Sequence, residues 1–343
     1  MSWYKDPAPL TAGYWGPITS TLLWCEEKYK WTKYIAEPAN TLTNIFFILL
    51  ASYGAHTVRQ QRLPNRFWLC HLGIAFVGFG SFLFHMTLKY EAQLLDELPM
   101  IYTSTILTYA VLETSKGHGN PRFPILLPGV LLAMVTFITV AYLKLGNPVF
   151  HQVAYGLIQA VSTFRVIFLL YSSRSTLTAN QAALDRRSEI RSIYAVGAAI
   201  FLSGFGIWNI DNIFCGWLRG ARKAVGYPLA LALEGHAWWH LLTGYGAYLL
   251  VIACELLVLS IKEEPENFQI VGTILPKVVR LKAYHPSNKV HTNGATANGA
   301  NGHRANGHTN GHANGHSKHS NGHANGHSAN GHANGHANGH ANG

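Results

Sequence analysis

Three histidines of this 343-residue chain stand in apolar surroundings where an imidazole can bind a metal ion. His236 and His240 are four residues apart, so on a helix their rings project from one face about one turn apart. That spacing suits two ligands of one tetrahedral zinc ion. His85, at the end of another apolar run, completes a set of three and leaves a fourth position for water. The pattern predicts a catalytic zinc site, and the alternative is three hydrogen-bonded core histidines.

Two further polar residues can supply the other parts of such a site. The His236 segment lacks the glutamate of the zinc-protease helix motif, so a catalytic carboxylate must come from elsewhere. Asp96 is our candidate, as the general base for the zinc-bound water. Ser81 lies four residues before His85, on the same helix face, and its hydroxyl can donate to a developing oxyanion. Taken alone, Ser81 is more simply interpreted as a small packing residue.

The elements that must position these residues are membrane helices. The chain is 48% hydrophobic and only 12% charged, and its apolar runs approach the roughly 20 residues that cross a bilayer. We predict an all-α fold, a bundle of seven transmembrane helices. The predicted spans cover residues 40–57, 67–85, 93–113, 123–143, 149–171, 190–210 and 236–261. Ionisable residues within such spans are functional candidates by default.

Loop charges and composition divide the chain into three parts. Lys and Arg are enriched in alternate loops, which places the N-terminus in the lumen and the C-terminus in the cytosol. We therefore predict a lumenal segment (1–39), a seven-helix catalytic domain (40–265) and a cytosolic tail (266–343). The tail is rich in His, Asn and Gly and is expected to be mostly disordered, with no catalytic role. The net charge of +10 fits the positive-inside bias, and we infer no nucleic-acid partner.

Two of the four cysteines, Cys25 and Cys215, fall in segments assigned to the lumen. An oxidising lumen permits a disulfide between them. Free thiols are the equally open alternative.

Several motifs together resemble the alkaline ceramidases. They are GSFLFHMTLKY at 80–90, LLDELPM at 94–100, HAWWH at 236–240, GYWGP at 13–17 and WCEE at 24–27. The resemblance covers roughly residues 10 to 270. It implies a seven-helix enzyme of the endoplasmic reticulum or Golgi membrane that hydrolyses ceramides, with phytoceramide or dihydroceramide expected, to a sphingoid base and a free fatty acid. It implies zinc on His85, His236 and His240, with Ser81 and Asp96 as catalytic neighbours, and a Cys25–Cys215 disulfide.

The resemblance also implies a calcium site near the N-terminus, for which the match is partial. Trp24, Glu26 and Glu37 follow the family pattern, whereas Leu23 replaces an aspartate and Lys28 an asparagine. Calcium takes six to eight oxygen ligands. Our hypothesis is that Lys28 partly replaces the ion by pairing with Glu26 or Glu37.

Two other functions compete with this interpretation. A zinc-containing seven-helix receptor of the adiponectin-receptor type has similar site residues, and only the flanking motifs favour a ceramidase. A transporter or structural membrane protein would use the histidines as satisfied polar groups. The spacing of residues does not predict the dimensions of the pocket, on which chain-length preference, reverse synthesis and oligomeric state depend. It predicts no protein partner.

Overall fold

Long helices make up most of the structure, a computed structural model that describes residues 13–119, 121–172 and 176–282. The helices are α1 (Pro38–Gln60), α2 (Asn65–Thr87), α3 (Tyr90–Leu112), α4 (Leu126–Leu145), α5 (Pro148–Tyr171), α6 (Gln181–Ile213), α7 (Cys215–Val225) and α8 (Gly235–Lys262). Short 3-10 turns lie at Thr176–Thr178, Leu229–Leu233 and Pro265–Asn267, and two strands follow, β1 (Phe268–Val271) and β2 (Lys277–Arg280). The all-α prediction for the body of the chain is confirmed.

Helix α8 is the centre of the bundle. It packs most extensively against α6 and also contacts α1, α2 and α3. From Val251 to Lys262 every residue is buried, as expected for a helix that is apolar on all sides. Small residues permit the close packing on α6: a Cβ on Gly246 would lie 2.8 Å from the backbone nitrogen of Phe201. Helix α8 therefore presents its histidines from inside the bundle.

The turn between α2 and α3 determines how their polar residues meet. Helix α2 ends at Leu88, whose φ of 50° is left-handed and reverses the chain. Within α3, Pro99 cannot donate to the carbonyl of Leu95. Gly80 of α2 packs against that carbonyl so closely that a Cβ would lie 1.9 Å from its oxygen. The glycine thus allows the close approach of the two helices beside Ser81 and Asp96.

Among the described residues, six helices are long and apolar enough to cross a membrane: α1, α2, α4, α5, α6 and α8. The third predicted span corresponds to α3, which has the required length. Its hydropathy is lower because it carries Glu91, Asp96, Glu97 and several hydroxyl groups. The sixth predicted span is longer than expected, since α6 begins at Gln181, capped by the side chain of Asn180.

Two features were not anticipated from the sequence. Helix α7 lies between α6 and α8 on the chain, and β1 and β2 form an antiparallel hairpin that pairs Phe268 with Arg280. The hairpin falls within the stretch from residue 266 that we assigned to a mostly disordered tail. It is ordered because Phe268 and Val278 are buried against the core of α8. Residues 283–343, which carry the repetitive His/Asn/Gly sequence, lie outside the described part of the chain.

Candidate metal centre and active site

The three predicted histidines meet in one buried cluster. His85 comes from the end of α2, and His236 and His240 come from the first turns of α8. Their ring centroids are 4.7 to 4.9 Å apart, and one potential ligand atom from each lies within 4.8 Å of the others. All three side chains are at most 4% exposed. Three imidazoles that converge in this way can hold one metal ion.

The hydrogen bonds of these rings test whether a metal ion fits. His85 places Nδ1 2.5 Å from a Glu37 oxygen, and His240 places Nδ1 3.0 Å from the Thr43 hydroxyl. By contrast, His85 Nε2 and His236 Nδ1 are buried without a hydrogen-bond partner among the described residues. Buried polar atoms normally have partners. The free nitrogens and the carboxylate behind His85 match the usual surroundings of metal-binding histidines, so the residues fit zinc.

Ser81 and Asp96 lie side by side next to this cluster. The Ser81 hydroxyl accepts a hydrogen bond from Asn44 Nδ2 at 3.1 Å. Both residues border the cavity that His236 and His240 also line. The neighbouring Glu97 is engaged differently, since its carboxylate accepts hydrogen bonds from Gln93 and Tyr142. Asp96 borders the cavity and, unlike Glu97, forms no hydrogen bond with Gln93 or Tyr142.

The cavity has a volume of about 580 Å³ and is mainly apolar. Its polar end is formed by Ser81, Asp96, His236 and His240. From there it continues between α2, α3 and α8, while another side is bordered by α5 and α6. Helix α5 packs chiefly on α3, and α6 chiefly on α8. On the α6 side, Leu202 is 64% exposed.

The N-terminal segment closes the cavity and supports the histidines. Trp24 stacks on His236 with ring centroids 4.3 Å apart. Both carboxylate oxygens of Glu26 accept hydrogen bonds from the first amides of α1, at 2.7 Å from Ala39 and 2.9 Å from Asn40. Burial, together with the carboxylates of Glu37 and Glu234, raises the pKa of Glu26 to about 8. The predicted calcium residues thus lie directly beside the histidine cluster.

Lys28 occupies the centre of that group. Its Nζ donates to the carbonyl oxygens of Trp24 at 2.6 Å and Glu26 at 2.8 Å, and it forms a buried ion pair with Glu37. Burial alone would raise the pKa of Glu37, but Lys28 and His85 outweigh it and hold the pKa at about 2. The ammonium group is already bound by the oxygens that a calcium ion would need. The residues present therefore do not fit calcium.

The Cys25–Cys215 disulfide joins the N-terminal segment to the start of α7, with Cα atoms 5.4 Å apart. Next to it, Arg222 is buried and forms ion pairs with Glu234 at 3.0 Å and Asp211 at 3.6 Å. Asp211 also accepts a hydrogen bond from the backbone of Gly235 at 3.2 Å. These contacts hold the residues that directly precede His236.

Sequence reasoning missed several supporting residues. It did not identify Thr43 and Asn44, which contact His240, or Asp211, which holds the beginning of α8. It considered Glu37 only for calcium, whereas the Glu37 carboxylate contacts His85. A usable signal was present, because all four are polar residues at or near the ends of apolar spans.

The chain is similar in sequence to known proteins over most of its length. The ceramidase family model matches residues 16–279. Alkaline ceramidase 3 of Mus musculus is 41% identical over 246 residues, covering 72% of this chain and 86% of the mouse protein. Alkaline ceramidase YPC1 of Saccharomyces cerevisiae is 36% identical over 300 residues, covering 83% of this chain and 92% of the yeast protein. The alkaline ceramidase of Arabidopsis thaliana is 29% identical over 239 residues, covering 69% of this chain and 83% of the plant protein.

These matches span the helices that carry the histidine cluster, Ser81 and Asp96, and they do not favour the receptor interpretation. The chain belongs to the alkaline ceramidase family.

Proposed function

We propose that this protein hydrolyses the amide bond of ceramides, releasing a sphingoid base and a free fatty acid, with phytoceramide or dihydroceramide as the expected substrates. One observation carries the proposal. A buried cluster of three histidines, flanked by a serine and an aspartate, lies at the polar end of an apolar cavity inside a membrane bundle. The names of the relatives, which are alkaline ceramidases, support the same reaction.

We propose that His85, His236 and His240 hold a zinc ion. When bound there, zinc would acidify water and polarise a carbonyl group. Glu37 accepts the Nδ1 proton of His85 and so directs Nε2 into the cluster. The Thr43 hydroxyl at Nδ1 of His240 fixes that ring in the same way. The histidines would therefore be oriented before substrate arrives.

Asp96 and Ser81 would carry out proton transfer and stabilisation of the oxyanion. Asp96 would accept a proton from the attacking water on a carboxylate oxygen and return it to the leaving amide nitrogen. The Ser81 hydroxyl, held by Asn44, would donate a hydrogen bond to the oxyanion that develops from the carbonyl. Trp24 and the N-terminal segment limit water access, which strengthens each of these charge interactions.

We propose a topology of seven spans, counting α3, with the N-terminus in the lumen of the endoplasmic reticulum or Golgi and the C-terminus in the cytosol. The distribution of Lys and Arg supports this orientation. The disulfide supports it independently, because Cys25 and Cys215 would then face an oxidising compartment. The domain division remains 1–39, 40–265 and 266–343, with the hairpin at the root of the tail.

The test of the function is hydrolysis by the full-length protein in lipid vesicles. Ceramide, dihydroceramide and phytoceramide are supplied separately, and released base and fatty acid are measured by mass spectrometry. We expect release from at least one of them without any added protein ligand, and loss of release when a zinc chelator removes the metal. A diacylglycerol, which offers esters instead of an amide, is the control substrate. Bound zinc without release of either product would contradict the proposal and would favour the receptor interpretation.

We also propose that the Lys28 ammonium replaces calcium in this chain. We then expect the turnover measured in millimolar calcium to differ by less than about twofold from the turnover measured with a calcium chelator. Lys28→Ala is expected to destabilise the fold by about 3–5 kcal/mol, because it removes the buried ammonium partner of Glu37 and leaves that carboxylate with only its hydrogen bonds to His85 and Asn40. Thermal unfolding and a calcium titration measure both effects.

The matched control for that variant is Lys30→Ala. Lys30 forms an exposed pair with Glu27, which should contribute at most about 1 kcal/mol. Strong calcium activation of the wild-type enzyme, or equal losses in the two variants, would refute the role of Lys28.

A further inference from the structure

One part of the cavity runs from the reacting groups toward the opposite end of the bundle. We name it the lower arm, and it is bounded by Ile74, Cys70, Leu107, Ala247 and Val251. Its end is equally far from the site on three helices. Cys70 lies eleven residues from Ser81 on α2, Leu107 eleven from Asp96 on α3, and Val251 eleven from His240 on α8. The three helices therefore indicate the same distance between the reacting groups and the end of the lower arm.

The end of the lower arm is closed by packed core. Cys70 and Val251 are 0% and 2% exposed, and both belong to a buried cluster with Ala51 and Ile74. One turn beyond Val251 on α8 lies Glu255, which is 1% exposed and faces His71 of α2 at 3.7 Å. A chain that passed this end would have to displace close-packed side chains and would meet buried polar groups.

The dimensions of the arm correspond to one alkyl chain of limited length. At about 1.5 Å per helical residue, eleven residues span about 16 Å, which is roughly the length of thirteen methylene groups in an extended chain. The cavity also borders α5 and α6, on a side separate from the lower arm. That side is where the second chain of a ceramide would lie.

We infer that the lower arm measures the length of one of the two substrate chains, with its limit set by Cys70, Leu107 and Val251. The inference rests on the proposed function and adds a determinant of chain-length preference to it. The chain in the arm is limited to roughly thirteen carbons beyond the polar end. The other chain lies against the lipid and has no limit of this kind. Overpacking at the closed end lowers kcat/KM on the order of tenfold for longer chains.

Substitutions at the end of the arm test the inference in both directions. Val251→Phe adds roughly the volume of two methylenes and moves the limit about two carbons shorter, whereas Val251→Ala moves it about two carbons longer. Ala247 lies one turn nearer to the site, so Ala247→Phe moves the limit about four to five carbons shorter than in the wild-type enzyme. Ala133→Phe, at an exposed position of α4, is the control and leaves the limit unchanged.

Hydrolysis is measured on two substrate series in vesicles, one varying the acyl chain on a fixed base and the other varying the base under a fixed acyl chain. We expect a limit in one series only, which shifts in the order of the three arm variants. Retained turnover of the shortest substrates shows that each variant is folded. Limits in both series, in neither series, or unmoved by the arm variants would overturn the inference while leaving the function intact.

A second measurement separates the arm from the reaction. Primary alkanamides of 10 to 20 carbons carry one chain and one amide, and their binding is read as a rise in the thermal unfolding midpoint. If stabilisation stops increasing at one chain length, and if that length shifts in the arm variants, the result supports a length limit set by the lower arm even when no ceramide is hydrolysed. Stabilisation that is independent of length and equal in all variants refutes it.

Discussion

Replacing Asp96 with asparagine is expected to lower kcat for ceramide hydrolysis by about 10²- to 10⁴-fold, the usual contribution of a positioned general base. Asparagine has nearly the same shape, but it cannot accept and return a proton. KM should change little, because the lining of the cavity is preserved. Zinc content should remain that of the wild-type protein, since Asp96 is outside the three-histidine cluster.

The control for this variant is Asp185→Asn, which removes an exposed carboxylate from the same membrane protein. Steady-state kinetics and metal analysis of both variants, in the same vesicles, separate a chemical role from general damage. Near-normal kcat in Asp96→Asn would remove Asp96 from the mechanism and direct attention to Glu97, which borders the same cavity.

Replacing His240 with alanine is expected to abolish both zinc binding and turnover. The variant leaves two histidines in the cluster, and the side chains of Thr43 and Asn44 lose their contact with the ring. Loss of an outer-shell partner alone typically costs about 10- to 100-fold in metal affinity or activity, so loss of a ligand should exceed that range. Elemental analysis of the purified protein and product release measure the two effects.

His56→Ala is the matched control, since His56 is exposed on α1 and distant from the cluster in the helix. It should retain zinc and turnover. Full zinc occupancy with normal turnover in His240→Ala would mean that the metal is held elsewhere. Full zinc occupancy with lost turnover would assign His240 to substrate binding instead. The two variants of the site thus have different signatures: Asp96→Asn retains the metal, and His240→Ala loses it.

Much of the fold follows from local sequence patterns. Apolar runs predicted the long helices because a helix that crosses hydrocarbon needs continuous apolar side chains, a property visible in any window of about 20 residues. The boundaries were less predictable, and α6 extends to Gln181 because Asn180 caps it there. The hairpin was missed because its order depends on burial of Phe268 and Val278 against residues distant in the chain.

The sequence by itself determined that His236 and His240 share a helix face, as do Ser81 and His85, because a spacing of four residues is a local property of the helix. Only the tertiary structure decided that His85 meets the α8 histidines, that Glu37 holds His85, and that Lys28 pairs with Glu37. It also decided where the lower arm ends. Such contacts join residues far apart in the chain, and they depend on how closely whole helices approach. That approach is set by packing, as at Gly80 against the Leu95 carbonyl, which no local spacing reveals.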